Sequence, residues 1–271
     1  VVSADSLESF ILAYLERTAV KISAADLIRT CVQACRADRV AVQGALRRLA
    51  ADGQIQYTNL YGSSQIDLAW SRPRWVSPHI LLCPKEAGAP SPAPGGAVVL
   101  RIAAGAAFGA GDHPTTRLAL QSLDAMFGEN RVPPGATVLD IGTGSGVLAI
   151  GAALLGARSV LALDVDPCAL WEARANVALN GLEDRIRVSA DPVEALAQTF
   201  DLVLANLRLP TLLGLVPTMS RVLGDEGVLV ISGIRPEEAV ELMKSGAVHG
   251  FEPCWLKESQ GWAGIGFRRG R

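Results

Sequence analysis

Metal-binding spacing is missing from this chain. Its five cysteines, Cys31, Cys35, Cys83, Cys168 and Cys254, are odd in number and scattered, with no Cys-x-x-Cys pair and no His/Cys cluster at zinc spacing. A structural zinc module and a disulfide scaffold are thereby excluded, and reduced, mostly buried thiols are expected. Cys31 and Cys35, four apart in an expected helix, read as small core residues. Long apolar runs are missing too, since the longest, Gly146 to Ala157, falls short of the roughly 20 residues a bilayer span needs. The first residues lack the basic charge of a secretory signal and carry Asp5 and Glu8 instead, so a cytoplasmic location is expected, without a membrane partner. Strong charge of either sign is absent. With a formal net charge of -2, attraction to phosphate backbones would have to come from a local patch.

What the chain does have is length and apolar content. Its 271 residues, 49% of them hydrophobic, suffice for one large domain or two ordinary ones. Leu7, Phe10, Ile11, Tyr14 and Leu15 recur at three- and four-residue steps, which predicts a helix from Asp5 to Thr18. Ser23 can cap a second helix, Ala24 to Cys35. A third, Val40 to Asp52, would turn Val40, Ala45, Leu46 and Leu49 inward before Gly53 stops it. Ile55 to Thr58 and Gln65 to Ala69 then read as strands joined by the turn Asn59 to Ser64, with Tyr61 and Gly62 at its tip. This order resembles winged-helix domains, whose third helix commonly reads DNA and here would present Arg39, Gln43, Arg47 and Arg48. Asp38 and Asp52 dilute that face and the wing carries no Lys or Arg, so protein recognition or dimer packing is the preferred reading over nucleic acid.

Further on, Ile80 to Cys83 and Val98 to Ile102 read as strands around the Pro/Gly/Ala-rich stretch Pro84 to Gly96, expected to be a mobile loop. Strands are then expected at Thr137 to Ile141, Ser159 to Asp164, Ile186 to Ser189, Leu202 to Ala205, Gly227 to Ser232, Glu252 to Lys257 and Trp262 to Arg268. Helices fall near Leu118 to Met126, Val147 to Leu155, Cys168 to Asn180, Leu209 to Val222 and Pro236 to Ser245. Such alternation implies an α/β fold with a mainly parallel, Rossmann-like sheet covered on both faces.

The strand Val138 to Ile141 runs straight into Gly142-Thr143-Gly144-Ser145-Gly146 and a helix, where a glycine-rich turn lets backbone approach a ligand at a helix N-terminus. The dinucleotide fingerprint would need its third glycine where Val147 stands, so NAD fits poorly. The pattern Asp140-x-Gly142-x-Gly144-x-Gly146 instead resembles the first motif of class I methyltransferases. About 20 residues on, Asp164 stands where Rossmann-like sheets place an acid against ribose hydroxyls, while Asp166-Pro167 starts the next helix.

Three segments together resemble the ribosomal protein L11 methyltransferases: the loop Ala107-Phe108-Gly109-Ala110-Gly111-Asp112-His113-Pro114-Thr115-Thr116, the glycine turn, and Leu204-Ala205-Asn206-Leu207 at the end of the fourth strand. The likeness runs from about Ile80 to the C-terminus and includes Ile231-Ser232-Gly233-Ile234 and Trp262. It implies a seven-stranded methyltransferase sheet and S-adenosyl-L-methionine as cofactor, bound by Thr116, Gly142, Asp164 and Asn206. Asp140, Gly144, Gly146 and Phe108 are grouped with them as cofactor residues. Asn206 would also accept from an incoming amine, and His113 is a candidate base, although a histidine in such a loop serves equally to hold it in place. Expected domains are 1–72, winged-helix-like; 73–105, connecting strands and loop; and 106–271, methyltransferase.

The chain departs from the family pattern at Ala110, where the family has Thr, at Ala104-Gly105, where it has Pro-Gly, and in the N-terminal region, where an α/β recognition domain would stand. A protein acceptor other than the ribosomal one is therefore expected. The competing readings are a small-molecule methyltransferase, a winged-helix-guided nucleic-acid methyltransferase and a cofactor-sensing DNA-binding regulator. The nucleic-acid enzyme is weakened because Asn206-Leu207-Arg208-Leu209 stands where Asn/Asp-Pro-Pro-Tyr would be.

Overall fold

The computed structural model describes residues 4–17, 22–60, 63–68, 73–87, 94–103, 105 and 113–270. The chain divides into two units, Val1–Arg72 and Pro73–Arg271. The first contains α1 (Ala4–Arg17), β1 (Ile22–Ser23), α2 (Ala24–Cys35), α3 (Arg39–Ala51), β2 (Ile55–Leu60) and β3 (Ser63–Leu68). Its three strands form an antiparallel sheet in the order β1-β3-β2. Helix starts follow local chemistry: Ser23 Oγ accepts from Asp26 N at 3.1 Å and Asp38 Oδ1 from Ala41 N at 2.7 Å. The core gathers Ile11, Leu27, Cys31, Val42, Leu46 and Leu49. Val40, expected to face inward, is 78% exposed. Because Asp38 caps the helix at Arg39, Val40 falls in its first turn and Val42 takes the inward place. The expected turn tip, Tyr61 and Gly62, lies outside the described residues.

The second unit opens with β4 (Arg74–Ser77), β5 (Ile80–Pro84) and β6 (Val98–Ile102), a separate sheet in the order β4-β5-β6. It is a sheet in its own right rather than a pair of connecting strands. Much of the expected loop between β5 and β6 lies outside the described residues. There follow α4 (Pro114–Gly128), β7 (Thr137–Ile141), α5 (Val147–Leu154), β8 (Ser159–Leu163), α6 (Pro167–Leu179), β9 (Ile186–Ser189) and β10 (Phe200–Asn206). The chain closes with α7 (Leu209–Val222), β11 (Leu223–Ile234), α8 (Pro236–Val248), β12 (Phe251–Ser259) and β13 (Trp262–Arg269).

Seven of these strands form one mixed sheet in the order β12-β13-β11-β10-β7-β8-β9. Only β13 runs against the others, pairing antiparallel with both β11 and β12. Its inner strands are mainly apolar, as burial on both faces demands: Leu139, Val203 and Leu229 are wholly inaccessible, with Asp140 the buried acid among them. From β7 the chain moves outward through β8 to β9, then returns to lay β10 on the other side of β7. Strand order thus reverses between β7 and β10, and the crevice beyond their carboxyl ends is where open α/β sheets bind ligands.

Among the described residues no helix is long and apolar enough to cross a membrane. No group of three or more His, Cys, Asp or Glu among them could hold a metal ion. All five cysteines are free, but Cys168, at the start of α6, is exposed rather than buried.

Candidate functional site

A cavity of about 760 Å³ opens at the carboxyl ends of β7, β8 and β10, within the size range of small-molecule sites. Its floor is the turn after β7. Gly142, Gly144 and Gly146 have φ of 70°, 55° and 84°, a left-handed conformation that a side chain would strain at all three positions. The turn is tied to β8 by Gly142 N and Thr143 N, which both donate to Leu163 O at 2.9 Å. Gly142 and Gly144 line the cavity. Gly146 does not: a Cβ there would lie 3.3 Å from Ala173 Cα, so this glycine serves the packing of α5 on α6 rather than a ligand.

Asp140 is also absent from the cavity lining. Its carboxylate is fully buried beneath the turn and does not reach the cavity. Oδ2 accepts from Thr143 Oγ1 at 2.6 Å and from Ala149 N at 3.2 Å, holding the turn to the start of α5. Burial pushes the acid up to about 7, against the lowering effect of those two hydrogen bonds and with a further rise from nearby Asp164.

Asp164 stands on the cavity wall just past β8. One carboxylate oxygen accepts from Gly144 N at 2.9 Å and the other from Asp166 N at 3.0 Å. The acid therefore faces the glycine turn with acceptor capacity to spare on both oxygens. Asp166 caps α6 through Cys168 N at 2.8 Å.

On the opposite side, β10 ends in Asn206, whose Oδ1 is buried without a hydrogen-bond partner. Leu207 follows, with its N donating to Ser232 O at 3.1 Å. Its backbone is pressed so close to Gly233 that a Cβ on that glycine would stand 2.3 Å from Leu207 O. The next wall is the start of α4, which begins at Pro114, earlier than expected, with Pro at its first position. His113 is its cap: Nδ1 accepts from Thr115 N at 3.3 Å and lies 2.8 Å from Thr115 Oγ1. His113 and Thr115 line the cavity, whereas Thr116 lies behind them, fully buried, with its hydroxyl unpartnered. Phe108 and Ala110 lie outside the described residues.

Trp262 of β13 also lines the cavity, meeting the His113 ring edge-on at 5.1 Å between centroids. The Arg235 guanidinium sits 3.9 Å over the indole. In the sequence, Trp262 is marked only by the family likeness and Arg235 is not marked at all. No periodicity signals a stack formed between residues that far apart in the chain.

Residues 68–270 match the family described as ribosomal protein L11 methyltransferase (PrmA). A ribosomal protein L11 methyltransferase of Pelobacter propionicus is 41% identical over 173 residues, 64% of this chain and 56% of the relative. That of Geotalea daltonii is 41% identical over 169 residues, 60% and 52%. The chain therefore spans about half the length of the curated relatives it matches. The crystal structure of ribosomal protein L11 methylase from Lactobacillus delbrueckii subsp. bulgaricus is similar with a TM-score of 0.66 at 31% identity, over 74% of this chain and 100% of that one. With the glycine turn, Asp164, Asn206 and the start of α4 all inside the matched residues, the chain belongs to the ribosomal protein L11 methyltransferase family.

Proposed function

We propose that the protein is an S-adenosylmethionine-dependent methyltransferase that N-methylates a lysine or N-terminal amine of another protein, in the cytoplasm. One observation carries the reading: the buried, unpartnered Asn206 Oδ1 stands at the carboxyl end of β10, on the wall of a cavity floored by the Asp164-braced glycine turn. A buried acceptor left unmatched costs free energy unless a ligand satisfies it. The cavity fits the cofactor by the same test, with Asp164 set for ribose hydroxyls and Gly142 and Gly144 offering backbone at close approach. Thr116, whose hydroxyl is also unmatched, lies behind the His113 and Thr115 wall and supports it without facing the cavity.

When bound, the cofactor supplies an electrophilic methyl group on a sulfonium. Asn206 Oδ1 accepts an N–H of the incoming amine and so directs the nitrogen lone pair, which is rate enhancement by orientation. Leu207 and Trp262 line the approach and exclude water. His113 commits Nδ1 to the start of α4, which makes it a positioning group for that wall, and the amine proton leaves to solvent.

For the first unit, the order α1-β1-α2-α3-β2-β3 with its β1-β3-β2 sheet supports a winged helix. Its third helix is poorly suited to a phosphate backbone, because Arg48 is held by Glu8 at 2.6 Å and Val40 lies exposed on it, with Tyr57 exposed on the following strand β2. This unit falls outside the family match except at its last residues, which supports an acceptor other than ribosomal protein L11. Incubating a lysate with the enzyme and methyl-labelled cofactor tests the reading. Mass spectrometry is expected to find label on lysine or N-terminal amines of protein, and label confined to small molecules would overturn it.

A further inference from the structure

We propose that Arg208 selects the acceptor, by pairing with an acidic side chain that flanks the methylated amine. This rests on the reading of the cavity as a protein N-methylation site. Arg208 directly follows Asn206 and Leu207, in extended backbone at φ -70° and ψ 150°, where β10 turns into α7. Its carbonyl accepts from Leu212 N at 3.1 Å, while its side chain makes no capping bond. It lines the cavity and is exposed there.

Neighbouring arginines are engaged within the protein. Arg187 pairs with Asp191 at 2.9 Å, Arg221 donates to Glu194 O at 3.0 Å, and Arg235 donates to Gly261 O at 3.1 Å while covering Trp262. Arg208 has no such bond among the described residues, although a single residue, Leu207, separates it from the group that receives the amine.

Charge in the cavity is also divided. Asp164, Asp166, Asp191 and Glu194 follow β8 and β9, whereas Arg208 is the one Lys or Arg among the described residues lining the cavity and stands with Asn206 at the end of β10. A ligand group near Asn206 therefore meets a cation. The planar guanidinium fork matches a carboxylate with two parallel hydrogen bonds, which a lysine at the same place would not supply. An acceptor lysine flanked by Glu or Asp satisfies Asn206 with its amine and Arg208 with its neighbour.

The test uses the full chain and two blocked peptides, each with a single lysine, flanked by Glu in one and by Gln in the other. Wild type is expected to show a KM roughly tenfold lower for the Glu peptide, the scale of a charge-assisted hydrogen-bonded pair. Arg208→Gln should abolish that preference, with the larger change in KM than in kcat and unchanged affinity for S-adenosylmethionine by calorimetry. Arg208→Glu should favour a peptide with Arg flanks. Fluorescence anisotropy of the Glu peptide on enzyme saturated with S-adenosylhomocysteine reads binding apart from chemistry. Equal use of both peptides by wild type would overturn the proposal and leave the protein-methylation reading standing. So would an Arg208→Gln variant that loses cofactor affinity but keeps the peptide preference, since the arginine would then be holding the cofactor. Arg208-dependent peptide binding with no methyl transfer would support the pairing and refute protein methylation. Absence of both binding and transfer would overturn both.

Discussion

At residue scale, one position buried beneath the cavity and one on its wall set its tolerance to pH and to substitution. Asp140 has a folded-state pKa of about 7, raised from 3.8 by burial. The folded protein therefore holds a proton that the unfolded chain has released across that window. Its contribution to stability is fully present below about pH 4, declines as pH rises toward 7 and is flat above. Asp140→Asn, which keeps an acceptor for Thr143 and Ala149, should remove that decline, and urea midpoints measured across the window will show it. The second position is Gly233. With φ of 92° and a Cβ that would meet Leu207 O at 2.3 Å, Gly233→Ala must move backbone, at an expected cost of about 2–4 kcal/mol. Gly142→Ala meets only the tip of the Leu207 side chain, at 2.6 Å, and should cost less in the same denaturation experiment, despite its φ of 70°. The glycine spacing was legible because three positive-φ positions in one turn leave few residue types available. The separate duties of those glycines were not, because Gly146 facing Ala173 is a matter of how α5 meets α6. Asp140 read as a ligand for a similar reason, since proximity in sequence does not say which side of the turn a carboxylate occupies.

At the scale of elements, α6 braces the floor of the cavity. Asn176, 1% exposed, accepts from Ala103 N and donates to Ser145 O, both at 2.9 Å, joining the residue after β6 to the glycine turn. One turn later Asn180 accepts from Arg101 N at 3.0 Å and donates to Arg101 O at 2.7 Å. Asn176→Leu would leave a buried donor and a buried acceptor unmatched, at about 2–4 kcal/mol in total. Urea denaturation should show that loss, accompanied by weaker cofactor binding, whereas a substitution at exposed Trp171 on the same helix should show neither. The helices and inner strands were legible from apolar periodicity and caps. The two-residue β1 and four-residue β4 were not, because each is too short to show a period. Helix α4 starts about one turn before the expected Leu118, although Pro114 after His113 is a first-turn signature. That shift of one turn is why Thr115, and not Thr116, lies on the cavity wall.

For the whole molecule, each unit carries its own apolar core, one around Ile11, Leu27 and Leu49 and the other on the seven-stranded sheet. Every group assigned here to cofactor and amine belongs to the second unit. A fragment beginning at Pro73 is thus expected to fold and to bind S-adenosylmethionine within a few-fold of the full chain, while methylation of its protein acceptor falls. Loss of cofactor binding in a folded fragment would show that the first unit completes the site. The central claim is that this is an S-adenosylmethionine site held by Asp164, and isothermal titration calorimetry of wild type and Asp164→Ala tests it most directly. Because the acid also receives Gly144 N and Asp166 N, the variant's fold is checked by circular dichroism. The account predicts binding to wild type and at least a tenfold weaker affinity in a folded Asp164→Ala, the scale of losing hydrogen bonds to a charged acceptor; equal affinity in the two, or no binding to either, would contradict it.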